Sequence, residues 1–217
     1  MKDMSKVKNI PLKKLENDKL PLQRKCLDVR EYIDRHQNTL FYLGSGFIEY
    51  NNVHRFFDDE TFIIDNAKLT AQGVLGELIQ SIECELSHIT IDLLGFGYTG
   101  KEIYTLLKPL VQDIRIVKGK THDYPCEGVE LEKYLKVNNF RKMIINTIPK
   151  IIFDDTNYEK LIGCTILDIA SGEGCILNSQ CIDENVNVKH LYSLPDKYTP
   201  LDGAKRIICK LRKDQII

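Results

Sequence analysis

The chain has 217 residues, a length typical of one large domain or two small ones. Its composition, 43% hydrophobic and 28% charged, is that of a globular protein and excludes wholesale disorder. The formal net charge is −1, which argues against a dedicated nucleic-acid-binding protein. No apolar run approaches about 18 residues, so no membrane partner is expected. The basic N-terminus lacks the apolar core of a secretory signal.

The cysteines are seven in number and form no C-x-x-C pair. Zinc fingers, iron–sulfur clusters and thioredoxin-type chemistry all need closer spacing, and an odd count in a long chain argues against a disulfide scaffold. We therefore predict no metal site. Most of these thiols are expected to be small buried hydrophobes in a reducing, cytoplasmic environment.

The first third of the chain predicts a small, mixed unit. Residues 1–20 are interpreted as a surface extension without periodicity. Apolar spacing predicts a helix at 21–37 and a strand at 39–43, which ends at Gly44, Ser45 and Gly46. A short helix is predicted at 53–57 and a second strand at 61–64. Thr70 is expected to cap a helix that runs to about residue 85.

The remainder of the chain alternates apolar runs with helical patterns. The predicted strands are at 89–94, 114–117, 143–147, 165–170 and 188–194. The predicted helices are at 100–111, 129–137, 157–162, 176–183 and 202–212. Short strands without polar alternation indicate a parallel sheet covered on both faces. With right-handed crossovers, this predicts a doubly wound α/β fold.

The most specific motif follows the strand at 89–94 and opens the next helix. It is a G-x-G-x-x-G loop formed by Gly95, Phe96, Gly97, Tyr98, Thr99 and Gly100. In this setting the motif is the dinucleotide-binding fingerprint of Rossmann-type domains. Its glycines make the tight turn, let the backbone approach a pyrophosphate, and allow close helix–strand packing. The alternative is that the three glycines only shape the strand-to-helix turn.

We accordingly predict three segments: a small α/β unit at 1–66, a connecting helix at 67–86 and a Rossmann-type dinucleotide-binding domain at 87–217. The second strand of this domain is followed by Lys118 and Lys120, where an acid normally binds the adenosine ribose. Lysines there favour a 2′-phosphate and thus NADP over NAD. The alternative is that both lysines are solvated in a loop.

Three further segments resemble a known family. They are Leu-Thr-Ala-Gln-Gly at 69–73, the strand end with Asn146, Thr147, Ile148 and Pro149, and the Leu-Asp-Ile-Ala-Ser segment at 167–171. With the glycine loop, over residues 39–212, they are similar to the A subunit of dipicolinate synthase and, more distantly, to the NAD domains of D-2-hydroxyacid dehydrogenases. The resemblance implies a cytoplasmic, sporulation-linked NAD(P)-dependent oxidoreductase that converts a dihydrodipicolinate-like precursor to dipicolinate.

The resemblance also implies site residues and partners. The cofactor would contact the glycine loop, both lysines and the segment from Asn146 to Pro149. Thr70, Asp168 and Ser171 are the substrate candidates, together with Ser45 and Gly46 as the N-terminal contribution. No catalytic residue can be assigned from the motifs, and Asp168 is open to a purely structural role. The resemblance implies a flavoprotein-like second synthase subunit as a partner; a small-molecule substrate and a second copy of the chain in a homo-oligomer are also expected.

Departures from the family pattern leave a second hypothesis open. The N-terminal unit is shorter than the family's, and residues 121–139 are short for the usual helix, loop and strand. Gly172 stands where the family has an Arg that can hold an anionic substrate. The alternatives are therefore a degenerate member that binds a nucleotide or a partner subunit without catalysis, and another small NAD-dependent biosynthetic dehydrogenase.

Overall fold

The computed structural model describes residues 34–35, 37, 41–43, 52–118, 128–137, 140–172, 174–177 and 185–214. Ser45, Gly46, Lys120 and most of the helices predicted at 21–37 and 176–183 lie outside these residues. The chain divides into two compact units, one made of Met1–Ile63 with Ala204–Ile217 and the other of Ile64–Gly203. The segment boundaries predicted at 66 and 86 stay predictions.

The second unit is built on a parallel sheet. Among the described residues it has six strands, β3 (Thr90–Leu94), β4 (Asp113–Lys118), β5 (Val129–Glu130), β6 (Met143–Asn146), β7 (Thr165–Asp168) and β8 (Asn187–His190). Their order is β5-β4-β3-β6-β7-β8, and every neighbouring pair is parallel. The predicted Rossmann-type α/β fold is confirmed. All five predicted strands of this sheet exist, although the last ends at His190 rather than at residue 194.

Helices cover both faces of this sheet. Among the described residues the α-helices are α1 (Glu60–Ile79), α2 (Tyr98–Leu107), α3 (Leu131–Tyr134), α4 (Leu194–Tyr198) and α5 (Pro200–Lys213). One apolar cluster joins the first face to α1, α2 and α4 through residues such as Leu78, Leu93 and Ile103. The other lies under α3 and the 3-10 helix Tyr158–Leu161. Both faces of β3 are therefore buried, which explains its unalternating sequence.

Helix α1 corrects two predictions. Residues 61–64 were expected to form a strand, and Thr70 to cap a later helix; both lie inside α1. The helix begins earlier because the carboxylate of Asp59 accepts hydrogen bonds from the backbone amides of Thr61 and Phe62, as an N-cap does. The Thr70 hydroxyl instead donates to the carbonyl of Asn66 within the helix, 2.9 Å away.

Two short strands correct a third prediction. Residues 53–57 were expected to be helical, but Val53–Arg55 is strand β2, which pairs in parallel with β1 (Phe41–Leu43). A 3-10 helix, Phe56–Asp58, follows. Pairing with a strand distant in sequence outweighs local helical spacing here.

The predicted helix at 129–137 is also wrong in its first part. Val129 and Glu130 form β5, a sixth strand at the outer side of β4, and only Leu131–Tyr134 is α-helical. A two-residue strand is too short to show any periodicity. The strand matters for the site because it places Glu130 beside the end of β4.

Candidate functional site

The glycine loop lies where the strand order reverses. The chain leaves β3 toward β4 on one side of the sheet and returns to β6 on the other. In open α/β sheets, ligands bind at the carboxyl ends of the strands at such a switch point. The amide of Gly95 donates to the carbonyl of Val117, and the amide of Thr147 donates to that of Leu94, both at 2.8 Å. These bonds extend the ladders into the loops and bring the ends of β3, β4 and β6 together.

The three glycines of the loop are under different constraints. Gly95 has a φ of +95°, and a Cβ atom there would collide with the Thr147 hydroxyl. A Cβ at Gly100, in the first turn of α2, would collide with the carbonyl of Gly95. A Cβ at Gly97 would meet no heavy atom within 4 Å. Packing within the protein thus explains the first and last glycines but not the middle one.

The side chains within the loop divide between core and surface. Phe96 is buried and packs edge-on against Tyr104 of α2, with ring centroids 5.6 Å apart. Tyr98, at the start of α2, is 44% exposed. Gly97 precedes the helix in an extended conformation. The first amides of α2 have no acceptor one turn earlier in the helix, so its N-terminus has the electrostatics of an anion site.

The turn after β6 packs directly on the glycine loop. The Thr147 hydroxyl donates to the carbonyl of Leu94 at 2.9 Å. The amide side chain of Asn146 holds the turn, since its Nδ2 donates to the carbonyl of Ile148 and its Oδ1 accepts from the amide of Ile148. Lys150 closes the turn over Pro149 with a bond from its amide to the Ile148 carbonyl. Asn146 is fully buried, so its side chain supports the turn from the interior.

Asp168 lies one strand further along the carboxyl edge. Its carboxylate accepts hydrogen bonds from Nδ2 of Asn146 and from the backbone amides of Ala170 and Cys175. Burial raises the pKa of the Cys175 thiol far above its usual range, and the charge of Asp168 adds to this effect. The thiol is therefore a neutral structural group. Ser171, in the following loop, is exposed.

The end of β4 carries Lys118 as predicted, and the structure adds a neighbour. Glu130 of β5 is the register partner of Lys118. Gly128 approaches the aliphatic stem of Lys118, since a Cβ there would lie 3.3 Å from its Cδ and Cε. The Glu130 carboxylate also pairs with Lys133 at 3.2 Å. The neighbouring strand thus supplies a carboxylate in register with the end of β4.

A buried charge network in the middle of β3 was not found from the sequence. Asp92 is fully buried and accepts two 2.7 Å hydrogen bonds from Arg115 of β4. The Tyr134 hydroxyl and the Arg141 amide also donate to it. Burial raises the pKa of Tyr134 far above its usual range, so this hydroxyl stays a donor. A lone Asp within an apolar run was the available signal, because a buried carboxylate needs partners.

The structure thus brings together the glycine loop, the turn from Asn146 to Pro149 and Asp168. Thr70 is not part of this group, because its hydroxyl is hydrogen-bonded to a backbone carbonyl of α1. Within the described residues, no group of three or more His, Cys, Asp or Glu side chains is arranged to hold a metal ion. No helix among those residues is long and apolar enough to span a membrane.

Two solved structures of the dipicolinate synthase A subunit are similar to this chain. The Bacillus subtilis protein superposes with a TM-score of 0.72 at 18% identity, over 85% of this chain and 67% of that one. The Bacillus halodurans protein gives 0.71 at 17% identity, over 84% and 68%. An NAD-dependent formate dehydrogenase from Staphylococcus aureus, solved with NAD, gives 0.49 at 14% identity, over 87% and 76%.

No protein-family model and no curated protein matches the sequence. At 17–18% identity the likeness concerns the fold. The resemblance of the motifs to the A subunit of dipicolinate synthase is thereby confirmed at the level of the fold, over the part of the chain that these structures match.

Proposed function

We propose that the chain binds a nicotinamide dinucleotide at the glycine loop and is an oxidoreductase resembling the dipicolinate synthase A subunit. The observation that carries the proposal is the contrast among the three glycines. Gly95 and Gly100 are required by the protein's own packing, whereas Gly97 is not. A ligand phosphate that approaches the backbone explains a glycine at this position.

The residues at the switch point fit such a cofactor. The amides at the start of α2 would meet the pyrophosphate, with the helix dipole favouring the negative charge. The Thr147 hydroxyl and the backbone from Ile148 to Pro149 line the end of β6 beside the loop. When bound, a nicotinamide ring supplies hydride transfer, and the protein supplies orientation. Ser45, Gly46 and Lys120 remain proposed contacts.

For the cofactor we propose NADP over NAD because Lys118 ends β4 where an acid would repel a 2′-phosphate. Glu130 is the opposing influence, since its carboxylate lies on the adjacent strand in register with Lys118. We therefore expect a moderate preference, at the low end of what one lysine–phosphate contact contributes.

For the reaction we propose the oxidation of a dihydrodipicolinate-like compound to dipicolinate, in the cytoplasm of a sporulating cell and with a second, flavoprotein-like synthase subunit. The likeness in fold to the dipicolinate synthase structures and the strand ends with Asn146 and Asp168 support this proposal. The described cysteines, Cys84, Cys164, Cys175 and Cys209, are free thiols, which suits a reducing compartment.

The test is calorimetric titration of NADP and NAD into the full-length chain and into Gly97→Ala. Wild type is expected to bind NADP, and Gly97→Ala to bind it at least tenfold more weakly while staying folded, because its added methyl group meets only the ligand. Gly203→Ala is the matched control: its methyl group also meets nothing within 4 Å, but it lies in α5. Equal binding by both variants would contradict the proposal.

A second candidate is a nucleotide-binding subunit without catalysis. The observation in its favour is the sequence Ser171-Gly172, which lacks an Arg for an anionic substrate. Reduction of NADP during turnover of freshly generated dihydrodipicolinate, with and without the second subunit, separates the two candidates. Cofactor binding without turnover in either mixture would select the binding subunit.

A further inference from the structure

Three polar side chains form one row across the carboxyl edge of the sheet. Asn146 of β6 is the register partner of Asp168 of β7, and Asp168 is the register partner of His190 of β8. Register partners of parallel strands project from the same face. The row therefore leads from the switch point, under the proposed cofactor, to the last strand of the described sheet.

Asp168 is the fixed centre of this row. It is 1% exposed and accepts bonds from Asn146 at 2.8 Å, from the amide of Ala170 at 3.2 Å and from that of Cys175 at 2.8 Å. Its Oδ2 lies 3.5 Å from Nδ1 of His190. A buried carboxylate so placed orients an imidazole and favours the tautomer with its proton on Nδ1. Such contacts are often long before ligands bind.

His190 is the member of the row that reaches solvent. One third of its side chain is exposed. Gly174 makes room for the ring, since a Cβ at that position would lie 2.6 Å from Cε1 of His190. Because Nδ1 faces the buried carboxylate, Nε2 is the nitrogen left for a reaction partner. β8 lies two strands, about 10 Å, from β6, on the side of the switch point away from β4 and Lys118.

We infer that His190 is the catalytic base of this site and that Asp168 is its positioning residue; the inference rests on the proposed function. In the oxidation, one C–H bond of the substrate breaks and its electron pair leaves as hydride, for which the nicotinamide cofactor is the acceptor. A second bond to hydrogen in the substrate ring also breaks: its electron pair becomes the new double bond of the ring, and its proton forms an N–H bond at Nε2 of His190. Release of that proton to water restores the neutral ring, so two electrons and two hydrogens are accounted for.

The first test needs neither cofactor nor turnover. Nitrogen NMR of the full-length chain, labelled at histidine, reports which ring nitrogen carries the proton in the neutral form. The resonances of His190 are assigned by their loss in His190→Gln. We expect the Nδ1–H tautomer, as orientation by Asp168 requires. A predominant Nε2–H tautomer would overturn the inference, because Nε2 would then have no free electron pair for the substrate proton.

The second test is kinetic. With dihydrodipicolinate and NADP, His190→Gln is expected to lower kcat at least a hundredfold, as loss of a general base does, while KM and calorimetric NADP affinity stay within threefold. Added imidazole is expected to restore part of the activity of His190→Ala. His88→Gln is the matched control, since His88 is exposed in the 3-10 helix that precedes β3, at the opposite edge of the sheet.

The outcomes separate the two proposals. If wild type turns over and His190→Gln keeps its rate within threefold, the inference is overturned and the proposed function stands. If wild type binds neither NADP nor NAD, the proposed function is overturned and the inference falls with it. A large loss of kcat in His190→Gln, without imidazole rescue of His190→Ala and with weakened NADP binding, indicates a structural role and also overturns the inference.

Discussion

At the scale of single residues, the geometry of the glycine loop depends on two positions where a side-chain carbon does not fit. A Cβ atom at Gly100 would collide with the carbonyl oxygen of Gly95, so the approach of α2 to the loop requires glycine there. Gly95 is constrained twice, by its positive φ and by Thr147. Both glycines are therefore required by the packing of the protein, whether or not a ligand binds.

Gly100→Ala is accordingly predicted to lower the free energy of unfolding by roughly 1–3 kcal/mol, the usual result of overpacking a tight contact. Urea unfolding followed by circular dichroism measures it. Gly203→Ala, whose methyl group meets nothing, is expected to leave stability unchanged or to raise it by up to about 1 kcal/mol. Equal destabilisation of both variants would show that the close approach of α2 to the loop is unimportant.

The second prediction at this scale concerns cofactor preference. Lys118→Ala is expected to weaken NADP binding by about tenfold without changing NAD binding, since only NADP carries the 2′-phosphate. Glu130→Gln is expected to strengthen NADP binding, because it removes the carboxylate in register with Lys118. Calorimetry at low salt measures both affinities. A parallel change in NAD and NADP affinity would place Lys118 away from the 2′-phosphate.

At the scale of elements, charged side chains connect β4 and β6 at the amino ends of the strands. At the carboxyl ends, backbone hydrogen bonds connect β3 with β4 and β6. Asp113, the first residue of β4, accepts from Arg141, which precedes β6, and from Lys108, which follows α2. The hydrogen bond from Arg141, followed by that from Lys108, lowers the pKa of Asp113 from 3.8 to about 2. This carboxylate thus links the end of α2 and the start of β4 to the segment that precedes β6.

This lowered pKa gives a prediction with a definite sign. Because the carboxyl group is more acidic when folded, it stabilises the protein above pH 4, and the contribution is lost between about pH 4 and 2. Asp113→Asn should therefore be less stable than wild type at pH 6 and equal to it near pH 2, in urea unfolding curves. The difference should be small, since 46% of the side chain is exposed. A constant difference at all pH values would contradict the linkage.

Elements also show which features a sequence can reveal. The position of the glycine loop between a strand and a helix, and the apolar strands at 89–94 and 143–147, were predicted correctly, because a turn motif and a run buried on both faces are local properties. The strand predicted at 61–64 was wrong. The β-branched side chains there favour a strand, but in the structure Asp59 caps a helix that includes these residues. The pairs Lys118–Glu130 and Asp168–His190 depend on strand register, which no local pattern specifies.

At the scale of the whole molecule, cofactor binding should raise the thermal stability of the protein. A ligand that binds only the folded chain raises the free energy of unfolding by about 2.7 kcal/mol at a hundred times its dissociation constant. We expect NADP to raise the thermal midpoint of the wild type and of Gly203→Ala, but not that of Gly97→Ala at the same concentration. Differential scanning calorimetry measures this. An equal rise in Gly97→Ala would indicate binding away from the glycine loop.

The spacing of the paired strands has a consequence for how the molecule folds. Register partners are 23 residues apart between β3 and β4 and 22 apart between β6 and β7 and between β7 and β8, but 52 apart between β3 and β6. Closing the longer loop costs about 0.8 kcal/mol more in chain entropy. The two halves of the sheet are therefore expected to form first, and the pairing of β3 with β6 then joins them at the switch point. The part of the molecule that would meet the dinucleotide is then the last to be completed during folding.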